Sequence, residues 1–242
     1  MQRTLRLLFL LFGGLPTLLA AQNRLDAGLF IGTNQPIVKV QPVEPFLQQR
    51  NNWSGTSIGG FLAWQAPNET TFIEANFSAF TAKHWLAIYD GFLNPNEAGY
   101  RYRNLDLGIR QRIVQANFGG DSKLHLGFRA GLGASLVSGN SENVLVGVTA
   151  QGSPSVVMSY DLPGYDNEFR ASGYLGLILE YEFGNGITLF SRATYHQGIG
   201  NLYSDDILYG AGATNQTTTT PLLSRGSRWA IDAGISIPIF RK

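Results

Sequence analysis

Twelve charged side chains carry most of the chemical potential of this sequence. Arg110, Arg112, Arg129, Arg170, Arg192 and Arg228 stand beside Asp26, Glu74, Asp106, Glu180, Glu182 and Asp232, each at the polar position of a run in which polar and apolar residues alternate. Glu180-x-Glu182 has the spacing of a carboxylate pair for acid–base work. Acyl hydrolysis would instead need a nucleophile beside a histidine base, presented to the substrate. The histidines are His84, His125 and His196. Period-two parity puts His125 and His196 on the polar faces of their runs and His84 at the start of a loop. Ser191 falls on an apolar face with no histidine beside it. No combination of His, Asp and Glu has metal-ligand spacing. The expectation is therefore no catalytic residue, no metal and no cofactor. Six basic groups facing six acidic ones read as a structural network of mutual neutralisation.

The elements that position these charges are strands. Residues 172–198 form two arms around Gly184-Asn185-Gly186, a glycine-rich hairpin signal. Leu175, Leu177, Leu179, Tyr181 and Phe183 fall on one face before the turn, and Ile187, Leu189, Ser191, Ala193 and Tyr195 after it. The other face carries Glu180, Glu182, Arg192 and His196. A strand alternates faces with period two, so one face is almost wholly apolar and the other charged. Both arms hold the pattern for about ten residues, the length of a tilted membrane strand, whereas strands in soluble sheets run to about 5–6.

The same alternation recurs along the chain. Strands are predicted over 24–33, 53–65, 70–82, 100–114, 123–137, the two arms of the hairpin, and 227–240. In the last, Trp229, Ile231, Ala233, Ile235, Ile237 and Ile239 oppose Arg228, Asp232 and Ser236. Tight turns are predicted at 66–69, 119–122 and 184–186, and long loops at 34–52, 83–99, 138–168 and 199–226. Long and short connections alternate, as in a bacterial outer-membrane barrel with short periplasmic turns and long outer loops. A soluble sandwich has no reason to segregate its loops in this way. The apolar faces carry almost no charge apart from Arg101 and Arg103, which stand at the loop-ward end of their strand. Trp53, Trp64, Tyr181, Phe183, Tyr195 and Trp229 fall near strand ends, as interfacial girdles do.

Composition narrows the class further. The chain has 242 residues, a formal net charge of +1, 29 glycines, 12% aromatic residues and no cysteine. Without cysteine there is no disulfide, thiolate metal site or lipoprotein anchor, and near-neutral charge gives no footprint for nucleic acid. Residues 1–21 read as a secretory signal peptide: Arg3 and Arg6 form the basic region, Leu7 to Leu19 the apolar stretch, and Ala20-Ala21 the cleavage site. Gly13, Gly14 and Pro16 interrupt that stretch, which is shorter than the roughly 20 residues of a spanning helix. The expected organisation is a signal peptide at 1–21 and one barrel domain at 22–242, with no appended periplasmic domain.

The fold class expected is all-β, an eight-stranded antiparallel up-and-down transmembrane β-barrel. A lipocalin-like soluble barrel would have an apolar lumen, whereas this one is lined with charge. In these features the chain resembles the small eight-stranded outer-membrane barrels of the OmpA/OmpX type and, more loosely, PorT-like barrels of secretion systems. The stretch Asp232-Ala-Gly234-Ile-Ser-Ile237-Pro-Ile239-Phe240 resembles the C-terminal signal read by the barrel-insertion machinery. Aliphatics replace the usual aromatics, and Pro238, which cannot donate to a ladder, belongs near a strand end or bulge. The resemblance implies outer-membrane lipid, lipopolysaccharide and the insertion machinery as partners. Three functions follow as alternatives: a non-catalytic envelope protein with binding or adhesive loops or a secretion role, a narrow pore, or an enzyme acting on lipid A. Side chains just fill the interior of an eight-stranded barrel, which favours a salt-bridged plug over a channel. A symmetric turn at 184–186 would set Glu180 opposite Phe190 and diagonal to Arg192, the pair expected to hold the plug.

Overall fold

The computed structural model describes residues 24–40, 47–49, 55–83, 86–88, 99–139, 142–148, 156–162, 165–200, 203–211 and 217–241. Residues 1–21, expected as a signal peptide, and His84 and Trp53 lie outside the described residues.

The strands in chain order are β1 (Arg24–Val40), β2 (Leu47–Gln49), β3 (Thr56–Gln65), β4 (Thr71–Lys83), β5 (Leu86–Ile88), β6 (Gly99–Phe118), β7 (Ser122–Gly139), β8 (Glu142–Val148), β9 (Val156–Leu162), β10 (Tyr165–Glu182), β11 (Thr188–Ile199), β12 (Tyr203–Ala211) and β13 (Thr217–Arg241). Eight of them, β1-β3-β4-β6-β7-β10-β11-β13, pair in that order, and β13 closes back on β1. Every pairing in this ring is antiparallel. Closure leaves the ring without an edge, so its backbone N–H and C=O groups are satisfied internally, as a hydrocarbon environment demands.

Burial in the ring is inverted relative to a water-soluble protein. Leu29, Leu132 and Leu175 are 70%, 69% and 62% exposed, while Arg110, Glu74 and Glu180 are 1%, 2% and 1% exposed. Soluble proteins almost never bury such charges while displaying a continuous belt of leucine and isoleucine. A lipid-facing exterior makes both placements favourable. Rings touch on this exterior, Tyr181 with Phe183 beside the β10–β11 turn and Tyr195 with Trp229 in the half of β11 away from that turn. Arg101 and Arg103 are exposed on the same side.

Three tight turns close one end of the ring. Between β10 and β11, Phe183 N donates to Ile187 O and Gly186 N to Phe183 O, with Gly186 at φ 86°. Between β3 and β4 the Asn68 side chain accepts from the amides of Thr70 and Thr71. Gly119 and Gly120 turn β6 into β7 with positive φ.

The opposite end departs from the predicted loops. β1 runs on to Val40, β13 starts at Thr217, and β8, β9 and β12 extend the sheet outward from the first half of β13. The Thr217–Thr220 tract pairs with β12 and belongs to a strand. β2 and β5 form a small separate sheet. These segments lie beyond the apolar belt, where neither face of a strand has to be uniformly apolar, so the period-two signal that marks the ring is missing.

Two irregularities interrupt the register of the ring near its short-turn end. A shift between Arg112 and Val114 puts Ile113 and Val114 side by side on the outside. A second lies near the end of β13, where Leu25 pairs with Phe240 but Asp26 with Pro238. Pro238 thus sits at a bulge, beyond the last β11 partner, Ser236, where a missing N–H costs no ladder bond.

Candidate functional site

Inward-facing side chains of the eight strands converge on the lumen. Large rings come first, because they set the space left for the charges. Phe30 stands opposite Gly59 on one neighbouring strand and Gly234 on the other. Phe61 stands opposite Gly28, and Phe190 opposite Gly234. A Cβ on Gly28 or Gly59 would run into the facing ring, so the glycines let the aromatics lie down across the lumen. Phe30, Phe61, Phe72, Ile178 and Phe190 form one buried cluster with Ala63.

The arginines lie on these rings. The Arg192 guanidinium carbon is 3.8 Å from the Phe30 centroid, Arg110 is 4.1 Å from Phe72, and Arg112 is 4.8 Å from the same ring. Arg228 lies 4.5 Å from Phe80 and Arg129 5.0 Å from Tyr174. Out of water, each such contact is worth about 2 kcal/mol.

The ion pairs form a chain that alternates in sign. Asp26 accepts from Arg24 Nε at 2.5 Å, and Arg24 Nη1 donates to Glu182. Glu182 lies 3.1 Å from Arg112 Nη2, whose Nε is 2.9 Å from Glu180. Glu180 is 2.6 Å from Arg110 Nη1, Arg110 Nε is 3.1 Å from Glu74, and Glu74 is 3.4 Å from Arg129. Four arginines and four carboxylates therefore neutralise one another from the short-turn end to the middle of the lumen. Above them, Arg192 donates to Asp232 at 3.1 Å and to Asn76 at 3.0 Å, and Ser57 Oγ donates to Asp232 at 3.0 Å. Arg228 lies 3.2 Å from His196 Nδ1. Asp106 faces the same small space as Arg129, Arg192 and Arg228.

Of the twelve charges expected in the lumen, eleven line it. Arg170 lies on the inward side but at the rim, 27% exposed and 2.7 Å from Glu168. Its place in the balance is taken by Arg24, which is 4% exposed. Arg24 shares parity with Asp26 but opens its strand, where the alternating pattern has no preceding residue to establish it. The Glu180–Arg192 pair needs correction. Glu180 does stand opposite Phe190, but its partners are Arg110 and Arg112 on β6, two staves away on the other side of β7, and Arg192 takes Asp232, which stands directly opposite it on β13. Of the β13 residues in the expected insertion signal, Asp232 points inward and Gly234 lies under Phe190, while Ile237, Ile239 and Phe240 are exposed on the outer face.

Among the described residues, two cavities flank the layer formed by Phe72, Glu74, Arg110 and Glu180. The inner one, of about 20 Å³, is walled by Asn76, Asp106, Arg129, Arg192, Arg228 and Asp232 among others. That is about the room one water needs. The other, of about 490 Å³, is the mouth at the short-turn end, lined by Arg24, Gln65, Arg112, Lys123, His125, Glu182 and Arg241 among others. His125 and His196 are both buried inside, and Ser191 is exposed outside.

A closed antiparallel ring of eight strands, apolar outside and charged within, is a β-barrel of the outer-membrane class. Solved structures of this architecture resemble it. The outer membrane protein OprG from Pseudomonas aeruginosa matches with a TM-score of 0.50 at 8% identity, covering 91% of this chain and 98% of OprG. Neisserial surface protein A matches with a TM-score of 0.42 at 10% identity, covering 88% of this chain and 96% of that protein. Ail, the attachment invasion locus protein of Yersinia pestis, matches with a TM-score of 0.36 at 13% identity, covering 88% and 98%. At such identities the likeness is one of fold. No family model and no curated protein sequence matches the chain.

Proposed function

We propose that the chain is an integral outer-membrane protein of the OmpA/OmpX-like or PorT-like kind, exported by the signal peptide at 1–21, that works as a plugged scaffold. Its strand extensions and long connections do the binding, whether to surfaces, ligands or a secretion partner, and its lumen neither conducts nor catalyses. The surrounding lipid and lipopolysaccharide meet the apolar belt. Asp232, Gly234, Ile237, Ile239 and Phe240 are presented to the insertion machinery during assembly.

The observation that carries this reading is the layer between the two cavities. Phe72, Glu74, Arg110 and Glu180 are each no more than 2% exposed and belong to β4, β6 and β10, so the plug is tied to several staves of the barrel. Buried charges with good partners resist the loss of either member by about 3–5 kcal/mol, which holds the layer in place. The test is planar-bilayer recording of the purified, reconstituted barrel. The expected result is no steady conductance. A steady, ion-selective current from the wild type would replace the scaffold with a pore.

A further inference from the structure

The mouth at the short-turn end has a charge balance unlike that of the lumen above it. The ion-pair chain from Asp26 to Arg129 is neutral within itself, so any surplus at the mouth comes from residues outside that chain. Lys123 and Arg241 are such residues. Both are inward-facing by register: Lys123 stands two residues before the buried His125, and Arg241 pairs with the inward-facing Arg24. Both line the mouth cavity. Among the described residues neither has a hydrogen bond or an ion pair. Glu69, on the rim turn, is the one lining carboxylate outside the chain.

Two further observations point to a missing anion. Arg24 and Arg241 are directly opposite each other across the closing seam; Asp26 and Glu182 neutralise Arg24, which leaves Arg241 as the cation there with no carboxylate of its own among the described residues. His125, 2% exposed, lines the cavity with an Nε2 that makes no hydrogen bond. Its nearest carboxylate oxygen, on Glu182, is 3.5 Å away, too far for a good bond. Arg112 Nη2 is 3.1 Å from the same carboxylate but is likewise not aligned to donate to it.

We propose that this mouth binds a phosphate group, either free or carried on a small molecule. A carboxylate offers two oxygens in one plane, whereas donors here converge from β1, β6, β7 and β13 around a mouth of about 490 Å³. A phosphate monoester offers three strong acceptor oxygens and a charge of about −1.5 to −2 at neutral pH, matching Lys123 and Arg241. Arginine and lysine recognise it through charge-assisted hydrogen bonds. The amide nitrogens of Gln65 and Gln115, also on the wall, each give one hydrogen within the protein, to Glu69 O at 2.6 Å and to Asn117 Oδ1 at 3.4 Å, and keep a second.

The experiment is calorimetric titration of the purified barrel in zwitterionic detergent with inorganic phosphate and, separately, with glycerol 3-phosphate. Wild type should bind saturably, and the Lys123→Gln/Arg241→Gln double variant should bind at least tenfold more weakly. Both residues are exposed and outside the ion-pair chain, so the fold should survive; heat-modifiable mobility on a gel checks this, and the two single variants stand in if the double fails it. A preference for inorganic phosphate of tenfold or more identifies free phosphate as the ligand, and equal affinity shows a site that reads the phosphate group alone. A preference for glycerol 3-phosphate of tenfold or more identifies a carried phosphate such as a headgroup. Failure of both probes to saturate, displacement by equimolar acetate, or unchanged affinity in the folded variants would overturn the proposal.

Discussion

Arg192 shows how single residues hold this lumen. It has Asp232 directly opposite on the neighbouring strand, Asn76 across the lumen and the Phe30 ring at 3.8 Å. Its side chain and that of Asp232 are 4% and 7% exposed, so solvent screens the pair little. Arg192→Leu should lower stability by about 3–5 kcal/mol, because Asp232 is left charged and buried. Arg192→Leu/Asp232→Leu should recover much of that loss. The coupling between these two should exceed about 1 kcal/mol, while that between Arg192 and Glu180 stays below about 0.5. Urea midpoints in detergent for the singles and doubles measure both, and a larger Glu180–Arg192 coupling would mean that the hairpin diagonal matters more than the partner opposite on β13. Alternation in the sequence was enough to place both residues on the inner face. It was not enough to pair them, because parity and turn symmetry describe neighbours along a sheet. Partners such as Glu180 and Arg110 stand two strands apart and meet only because the sheet curls inward over β7. The rings beneath the arginines were visible in the same way: Phe30, Phe72 and Phe80 have inward parity, yet their role depends on a glycine opposite or a guanidinium above.

At the scale of elements, the ring and its extensions obey different constraints. Within the belt, one face must meet lipid and the other the lumen, so each stave carries a readable stripe. β8, β9 and β12 have no such requirement, and the sequence over 138–168 and 199–226 reads as loop. The structure also shows where the ring stops depending on them. β7 and β10 stay paired up to Gly139 and Tyr165, which stand opposite each other. Residues 140–164 should therefore be replaceable by an Asn-Gly turn, whose type I′ geometry matches the twist of paired strands. The shortened protein should keep its heat-modifiable mobility and lie within about 1 kcal/mol of wild type, since long surface loops cost little to close. Binding that depends on β8 and β9 should be lost. A shortened barrel that no longer folds would show that the extensions are part of the stabilising frame.

For the whole molecule, the proposed plug raises the question of what would keep a charged interior shut inside an apolar exterior. Water in the lumen would screen the ion pairs and loosen them, whereas a dry lumen strengthens each pair and makes every unpaired charge costly. The aromatic cluster decides between these states. Phe72 is fully buried and lies under both Arg110 and Arg112, so one ring supports the layer that separates the mouth from the inner cavity. Truncating it should create a void lined by guanidinium groups, a surface that attracts water where an apolar void would stay dry. Phe72→Ala should cost about 3–5 kcal/mol. Phe72→Leu, which keeps most of the volume but removes the π-face, should cost about 2 kcal/mol or less per arginine. The two variants should part in conductance. Phe72→Ala combined with Glu74→Ala and Arg110→Ala takes away the middle of the layer and joins the two cavities, and should give small, measurable single-channel currents in planar bilayers. Phe72→Leu alone should stay silent. If the triple variant folds, shown by its gel mobility, and is as silent as wild type, the barrier to ions lies elsewhere, among the inner residues Arg129, Arg192 and Arg228 that wall the smaller cavity.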